Sequence, residues 1–405
     1  MTLDDIVPAL RRGRWYRGPL LLAAATCAVL LWRAAAGALG AAVPASTEDH
    51  WRYWAAWHLA FRGADPYSAQ ALESVRQLIP GLGPQPAVLF TPPWALPLVT
   101  PFALLPYEAS RVAWFLASIS LVLGSVAVLW RVFEGPRGQI GVAFAVAMLF
   151  PPTLLMLRQG QIDPWIVAGL AGFLYWTEIE RRDALAGLCL ALASVKPQLL
   201  AGVWIAGALW VIEHRRWRVA VAFVVAVVAP TLLVAAWDPE IVSQFLFVYT
   251  SGAPARWATP TPGYYLRSWL GVDRFWLQFV APGAVVIGSA WYWARHRADW
   301  TWTTALPPLL WASVLGSTYA WTYDQVVLLG PILAAIIALV RNGWNARASR
   351  WIAALAALSV VTLLLHRVHT DEFFIWLAPA LLAWCWGVRR STMPEPDATR
   401  LEVAT

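Results

Sequence analysis

Apolar runs of about twenty residues recur along this chain from Leu20 to Trp386. A helix of that length spans the hydrocarbon core of a bilayer while it satisfies its own backbone polar groups. The chain of 405 residues is 60% hydrophobic and 13% charged, whereas soluble domains are roughly 45–50% apolar and about 25% charged. The runs therefore predict an all-α, polytopic membrane protein with about 10–13 transmembrane helices.

Arginines cluster in the short loops between these runs and give the chain a formal charge of +7. Loops rich in basic residues lie on the cytoplasmic side of a membrane, so the charge indicates topology and not nucleic-acid binding. The rule places the N-terminus and the loops at Arg215, Arg297 and Arg347 in the cytoplasm, and Asp49 outside. No nucleic-acid partner is expected.

The order of the runs predicts one integral-membrane domain over residues 1–390. It has a first outer loop at about 45–88 and a second outer loop at about 238–273. Residues 391–405 are polar and predict a disordered cytoplasmic tail. No internal repeat of the kind that forms inverted transporter halves is visible in the sequence.

Two acids, Glu48 and Asp49, directly follow the first apolar run. An aromatic stretch over residues 51–62 comes next, with the spacing of a helix that lies in the membrane interface. A carboxylate at the membrane surface can act as a general base toward a sugar hydroxyl. We take Asp49 as the base with Glu48 beside it in the binding site, and the choice between the two stays open. The alternative is that both acids are solvated caps of the loop helix.

Lys196 is the only lysine of the chain, and it lies in the middle of the apolar run Ala184–Ile212 with Pro197 after it. The run is too long for one crossing, so we expect two short helices that meet at Lys196. A lone cation within the membrane indicates function, and a lysine can hold a phosphate as a point charge. The alternative is a lysine that snorkels to the interface. Because an unpaired charge does not stabilise a membrane protein, Lys196→Met is expected to leave expression near normal.

A cation, two amides and an acid stand together over residues 158–163, at the start of a helix. Asp163 suits the N-cap position and Pro164 the first turn, so a capped turn explains both residues. It does not explain Arg158 or Gln161. These two are candidates to bind a phosphate or sugar hydroxyls.

Aromatic and charged residues in two later loops complete the set of candidates. Tyr323 and Asp324 end an aromatic segment after the run 302–320, and aromatic rings stack on sugars. Arg256 and Tyr264 lie in the second outer loop, where an arginine suits a phosphate. An aromatic belt at the membrane interface explains the tyrosines equally well.

The chain has no Walker loop, no glycine-rich dinucleotide motif, no H-E-x-x-H and no Cys/His metal set. We therefore predict neither a cofactor nor a metal. Because the sequence contains no nucleotide-binding motif, an enzyme of this kind would use a substrate that is already activated in the membrane.

In combination these residues resemble glycosyltransferase family 87, the bacterial mannosyltransferases that use polyprenyl-phosphate mannose and have the GT-C membrane fold. The similarity covers residues 47–330, and its specific part is the order of short motifs. The motifs are Asp49 after the first span, the turn Gly63–Tyr67, Phe90-Thr91-Pro92-Pro93 for a Tyr-Pro-Pro step, Gly160-Gln161-Ile162-Asp163 for Gly-Gln-x-Asn, Lys196-Pro197, and Trp321-Thr322-Tyr323. Thr91 is an extra residue, and Asp163 stands where the family has Asn.

The resemblance implies an inverting transfer of mannose from a polyprenyl-phosphate carrier to a hydroxyl of a lipid- or glycan-linked acceptor. The reaction would take place at the outer face of a bacterial inner membrane, with donor, acceptor and membrane lipids as partners. Asp49 would deprotonate the acceptor hydroxyl, and the lipid phosphate would leave. Lys196 and an arginine would neutralise that phosphate without a metal.

Two other interpretations remain open from the sequence. A polytopic transporter or lipid flippase would show repeat symmetry and paired charges along the spans, and neither is visible in the sequence. A membrane scaffold without catalysis would leave Lys196 and the loop around Asp49 unexplained.

Overall fold

The computed structural model describes residues 49–83, 86–250, 257–341, 343 and 345–392. Within these ranges every regular element is helical, and no strand is present. Among the described residues, six helices are long and apolar enough to cross a membrane, or seven if one pair bent by 59° counts as a single span. The predicted class, an all-α polytopic membrane protein, is confirmed.

Helix length varies from 8 to 26 residues in the described ranges. In chain order the α-helices are α1 (His50–Ala60), α2 (Ala69–Gln77), α3 (Leu96–Ala103), α4 (Tyr107–Val132), α5 (Ile140–Leu149), α6 (Pro151–Gln159), α7 (Asp163–Leu174), α8 (Asp183–Ala193), α9 (Ala201–Glu213), α10 (Trp217–Ala235), α11 (Ile241–Thr250), α12 (Pro262–Leu270), α13 (Val280–His296), α14 (Trp302–Leu315), α15 (Leu329–Arg341), α16 (Ala346–Leu365) and α17 (Leu377–Thr392). Short 3₁₀ helices lie at Pro93–Ala95, Arg137–Gln139, Pro197–Leu200, Phe275–Phe279, Arg297–Asp299, Thr322–Leu328 and Asp371–Trp376, and a π-helical turn at Tyr175–Ile179.

The candidate membrane spans often combine one of these helices with a neighbouring 3₁₀ turn. The six are Tyr107–Val132, Trp217–Ala235, Phe275–Asp299, Thr322–Arg341, Ala346–Leu365 and Asp371–Thr392. The predicted 10–13 spans outnumber them, partly because some apolar runs fold as two short helices. The run 141–157, for example, is divided at Phe150 into α5 and α6. The first predicted span, residues 20–42, lies outside the described ranges, so the helix number of the whole chain stays a prediction.

The apolar run Ala184–Ile212 forms the two helices α8 and α9, as the sequence predicts. The break between them contains Lys196, whose backbone (φ −134°, ψ 77°) is not helical, and a 3₁₀ turn that begins at Pro197. Proline has no N–H to continue a preceding helix, but it suits the first position of a new one. The side chain of Lys196 therefore emerges where two helices meet.

The helix that begins at Asp163, α7, is enclosed by α4 on one side and α8 on the other, and α8 also packs on α10. A Cβ atom at Gly187 of α8 would overlap the carbonyl oxygen of Val219 in α10. Small residues allow helix backbones to approach this closely, as is common in membrane proteins. The packing leaves the first turn of α7 inside the protein.

The predicted first outer loop is helical over much of its length. Its aromatic stretch forms α1, which ends before Gly63 (φ 69°), and the short helix α2 follows in the same loop. Trp51 and Tyr53 of α1 are buried, and α1 packs against α3. The expected interface helix is thus partly enclosed by protein.

The predicted second outer loop carries α11 and α12. At the C-terminus, α17 continues to Thr392, so the first two residues of the predicted tail are helical. The other residues of that tail lie beyond the described ranges.

Candidate active site

A tight turn between α6 and α7 brings Gln161 into the protein interior. Gly160 adopts φ 62° and ψ 35°, a left-handed conformation that often follows a helix and that glycine adopts without strain. A Cβ atom at Gly160 would lie 3.0 Å from Cβ of His50. The indole N–H of Trp114 donates a hydrogen bond to the Gly160 carbonyl at 3.0 Å. The turn is held from both sides, and Gln161 is buried.

Three acceptors surround the ammonium group of Lys196. Its Nζ lies 3.0 Å from Oε1 of Gln161, 2.9 Å from Oδ2 of Asp163 and 2.7 Å from Oδ1 of Asp324. The carboxylates of Asp163 and Asp324 are 0% and 1% exposed, and Lys196 is 14% exposed. An ammonium group has three N–H donors, so every donor of Lys196 is occupied.

This pairing corrects the sequence-based interpretation of Lys196. The lysine is not a lone cation, and charges along the spans are paired although the sequence did not reveal it. Removing the lysine would leave two buried carboxylates without a counter-ion. The expectation that Lys196→Met leaves expression near normal is therefore withdrawn.

The interpretation of Asp163 as a helix cap is also wrong. Asp163 is the first residue of α7, Ile162 occupies the N-cap position, and no side chain caps this end. The carboxylate of Asp163 binds Lys196 instead. An unpaired buried charge costs about 3–5 kcal/mol, whereas a lost cap costs about 1 kcal/mol, so the ion pair wins. Pro164 follows in the first turn, as the sequence predicts.

The 3₁₀ helix Thr322–Leu328 supplies the second carboxylate, Asp324, from its first turn. The backbone N–H of Trp321, the N-cap residue, donates to Oδ2 of Asp324 at 2.7 Å, so Asp324 uses one oxygen to cap its own helix and the other to bind Lys196. The Tyr323 ring centroid lies 4.9 Å from Nζ of Lys196, which is a cation–π distance. Tyr323 and Asp324 are thus both brought to Lys196, and both are buried.

Asp49 lies at the exposed end of the same group. One of its carboxylate oxygens accepts a hydrogen bond from the side-chain amide of Gln161, and the other pairs with the guanidinium group of Arg52. The backbone N–H of Asp49 donates to the carbonyl of Gln159 at 2.6 Å. The side chain is 24% exposed, so the carboxylate is held in place and still open to solvent.

Tyr53 connects α1 to the buried end through Gln161. Its hydroxyl donates to Oε1 of Gln161 at 3.2 Å, and burial raises the pKa of Tyr53 to about 12, so the proton stays on the oxygen. Burial also lowers the pKa of His50, the neighbour of Asp49, to about 3. Neither residue adds a charge beside Asp49 at neutral pH. We call the connected group the Gln161 network: Asp49, Arg52, Tyr53, Gln161, Asp163, Lys196 and Asp324.

Two of the other predicted site residues, Arg158 and Tyr264, are described by the structure and are not part of this network. Arg158 is exposed near the end of α6 and forms no ion pair with any residue that the structure describes. Tyr264 of α12 contacts the ring of Tyr265 at 5.4 Å. Glu48 and Arg256 lie outside the described ranges.

Three residues of the network were not recognised as site residues from the sequence: Arg52, Tyr53 and Asp163. The first two were assigned to the faces of an interface helix. Asp163 did carry a usable signal, because an acid that begins an apolar helix needs a partner and the chain has a single lysine in an apolar run. Tyr53 gave no comparable signal, since an aromatic residue on an amphipathic helix is ordinary.

An apolar cavity of about 630 Å³ lies beside the break at Lys196. Ser194 and Pro197, on either side of Lys196 in the chain, contribute to its wall. Trp94, whose indole N–H lies 3.1 Å from Oγ of Ser194, lines it too, and the cavity continues along α9 and α10 to Trp217. A cavity of this composition suits an apolar chain.

The acids of the network face N–H donors and are not grouped as metal ligands. Among the described residues, no three His, Cys, Asp or Glu side chains form a group that could hold a metal ion. The prediction that the protein needs no metal stays a prediction.

Buried paired charges and one accessible carboxylate on a helical membrane scaffold are the parts of a membrane-embedded enzyme. The model of glycosyltransferase family 87 matches residues 89–306, more than half of the chain, and the chain belongs to this family. The protein is therefore a glycosyltransferase, which acts between a sugar donor and an acceptor. The matched range contains Gln161 and Lys196, begins after Asp49 and ends before Asp324. No curated protein and no solved structure matches the chain.

Proposed function

We propose that the protein moves mannose from a polyprenyl-phosphate carrier to a hydroxyl of a lipid- or glycan-linked acceptor, with inversion at the anomeric carbon. The reaction takes place at the outer face of a bacterial inner membrane, where the positive-inside rule places Asp49. The observation that carries the proposal is the exposure of Asp49. It is 24% exposed, whereas Asp163 and Asp324 in the same network are 0% and 1% exposed.

Asp49 acts as the general base. The acceptor hydroxyl gives its proton to the carboxylate of Asp49 while its oxygen bonds to C1 of the sugar. The bond between C1 and the phosphate oxygen breaks, and polyprenyl phosphate leaves with the electron pair. N–H donors at both oxygens of Asp49 favour the ionised form, which a base needs, and leave a lone pair on each oxygen for the substrate.

The leaving phosphate needs a cation that is still free. Lys196 has all three donors occupied, and Arg52 is paired with Asp49. Arg158 is exposed, and it directly precedes Gln159, whose carbonyl accepts from the Asp49 N–H. We assign the phosphate to Arg158, because a guanidinium group binds phosphate oxygens with two parallel hydrogen bonds. Arg256 in the predicted second outer loop is the alternative.

The apolar cavity supports a donor with a lipid tail. Its wall begins beside Lys196 at Ser194 and Pro197 and follows α9 and α10. A polyprenyl chain is apolar throughout. Binding in this cavity would place the chain against apolar side chains and keep it away from the polar groups of the site. Membership in a glycosyltransferase family favours this enzyme over the transporter that the sequence left open.

The test compares wild type with Asp49→Asn in membranes supplied with labelled polyprenyl-phosphate mannose. Asn keeps the size of Asp and can still accept from Gln161, but it cannot take a proton. Turnover is expected to fall by about 10² or more, the usual effect of losing a general base. Asp273→Asn is the matched control, since Asp273 is exposed in the same predicted outer loop as α12 and should leave turnover unchanged.

Two outcomes would contradict the assignment. If Glu48→Gln abolishes transfer and Asp49→Asn does not, the base is Glu48. If the wild type transfers no sugar from this donor but does so from another lipid-linked sugar, the reaction class stands and mannose is wrong.

A further inference from the structure

We infer that Gln161 is a positioning residue that orients the base, and that it does not bind the sugar. The inference rests on the proposed role of Asp49 as general base. Both ends of the Gln161 amide are occupied within the protein, and the side chain is only 2% exposed. The carbonyl oxygen and one N–H of the amide are thus engaged within the protein, and burial of the residue leaves little surface on which a sugar could bind.

The two donors at one end of the amide determine which way it faces. Nζ of Lys196 lies 3.0 Å and the hydroxyl of Tyr53 lies 3.2 Å from Oε1. An ammonium group can only donate, and so the atom facing it must be the carbonyl oxygen. The NH₂ group then necessarily faces Asp49, where an ionised carboxylate can only accept.

The buried groups hold the Gln161 amide in one orientation, and the amide in turn holds the carboxylate of Asp49. The amide fixes one oxygen of Asp49, and Arg52 fixes the other. The charged groups that face Asp49 directly or across Gln161 are Arg52, Lys196, Asp163 and Asp324, with Arg158 at the end of the adjacent α6. Gln161 thus donates a hydrogen bond to Asp49 without placing another charge beside it.

Gln161→Glu separates positioning from substrate binding. The introduced carboxylate can still accept from Lys196 and Tyr53, but it faces Asp49 with an oxygen where the amide had a donor. Like-charge repulsion makes Asp49 easier to protonate. We expect the acidic limb of the pH–rate profile to move to higher pH by about one unit or more. The KM values for donor and acceptor should stay within about twofold, because substrate contacts are unchanged.

Tyr53→Phe is the second variant, for the case that Gln161→Glu does not fold. It removes one of the two donors to Oε1 and leaves the contacts of Asp49 intact. We expect kcat to fall about twofold to tenfold, the effect of one neutral hydrogen bond, with unchanged KM. Raised KM values with an unmoved acidic limb would overturn the inference and make Gln161 a substrate-binding residue.

Infrared titration of the purified protein tests the inference without any transfer reaction. The carboxyl band of protonated Asp49 is identified by its loss in Asp49→Asn. In Gln161→Glu the midpoint of that band should move to higher pH. A moved band in a protein that transfers no sugar would support positioning and contradict the proposed function, whereas an unmoved band in an active enzyme would contradict positioning alone.

Discussion

Asp49 at one end of the Gln161 network, and Asp163 with Asp324 at the other, are carboxylates in different surroundings. Asp49 is 24% exposed, and its partners are a neutral amide and an arginine three residues away. Asp163 and Asp324 are enclosed and share one ammonium group. A buried carboxylate keeps the fold stable only while its counter-ion stays, whereas an exposed one can also bind a hydroxyl.

The difference teaches that a cation available to a substrate is recognised by its free hydrogen-bond donors, and not by how rare its residue type is in the sequence. Lys196 is the most conspicuous residue of the sequence, because the chain has no other lysine. Its donors are nevertheless consumed by the fold. Arg158, one arginine among many in the sequence, is exposed and unpaired among the described residues. On our proposal, the fold and the leaving phosphate therefore use different cations.

The largest stability effect should come from Lys196→Met, which disrupts the buried ion group that Lys196 forms with Asp163 and Asp324. The variant leaves Asp163 and Asp324 buried without a counter-ion, and loss of one partner from a buried pair costs about 3–5 kcal/mol. We expect little folded protein, visible as a lower melting temperature and reduced recovery in detergent. Lys196→Arg should be intermediate, because a planar guanidinium fits a compact three-acceptor site poorly.

A triple variant provides the control for Lys196→Met. Lys196→Met combined with Asp163→Asn and Asp324→Asn removes all three charges, and replacing a whole buried ion group is often close to neutral. Melting temperature should therefore recover substantially. If Lys196→Met alone melts like the wild type and raises only the KM for the donor, Lys196 is the phosphate ligand and the two ends do not differ as we argue.

Most of the helical scaffold could be predicted from the local pattern of apolar residues, prolines and glycines in the sequence. The break in Ala184–Ile212 could be predicted because a run too long for one crossing carries a lysine and a proline at its middle. The turn at Gly63, which follows α1, is encoded locally as well. The bend between α5 and α6 was missed, since a continuous apolar run does not show where packing divides it.

The candidate site could be predicted only residue by residue. Asp49, Gln161, Lys196 and Asp324 were each identified from their position at the end or the middle of an apolar run. Their connection was not, because Lys196 meets residues 35, 33 and 128 positions away in the chain. Such distances depend on how the helices pack, and periodicity within one helix does not contain that information.

A smaller effect is expected from Arg158→Gln, which tests whether the exposed end supplies the phosphate site. Losing a charge-assisted hydrogen bond is worth about 1.5–3 kcal/mol, so KM for the lipid-phosphate donor should rise at least about tenfold. Melting temperature should not change, since Arg158 is exposed. Arg62→Gln is the control, because Arg62 is exposed just after α1. If only Arg256→Gln raises the donor KM, the phosphate lies at the second outer loop.

The smallest effect is expected at an ion pair outside the network. On α2, Nε of Arg76 lies 2.7 Å from one carboxylate oxygen of Glu73, and the side chain of Glu73 is 35% exposed. Hydrogen bonds from Arg76 lower the pKa of Glu73 from its ordinary 4.5 to about 2. A depressed pKa contributes stability above pH 4.5 and loses it as the pH falls toward 2.

Solvent screening should nevertheless make Glu73→Gln nearly silent. An exposed pair gains little in water, and it must restrain two long side chains. We expect the melting temperature of Glu73→Gln to match wild type at pH 7, with any small gap narrowing further at pH 3.5. Lys196→Met, measured in parallel, should melt far lower at pH 7. Equal losses in the two variants would mean that burial does not separate strong from weak ion pairs here, and Asp163 and Asp324 would then need another account.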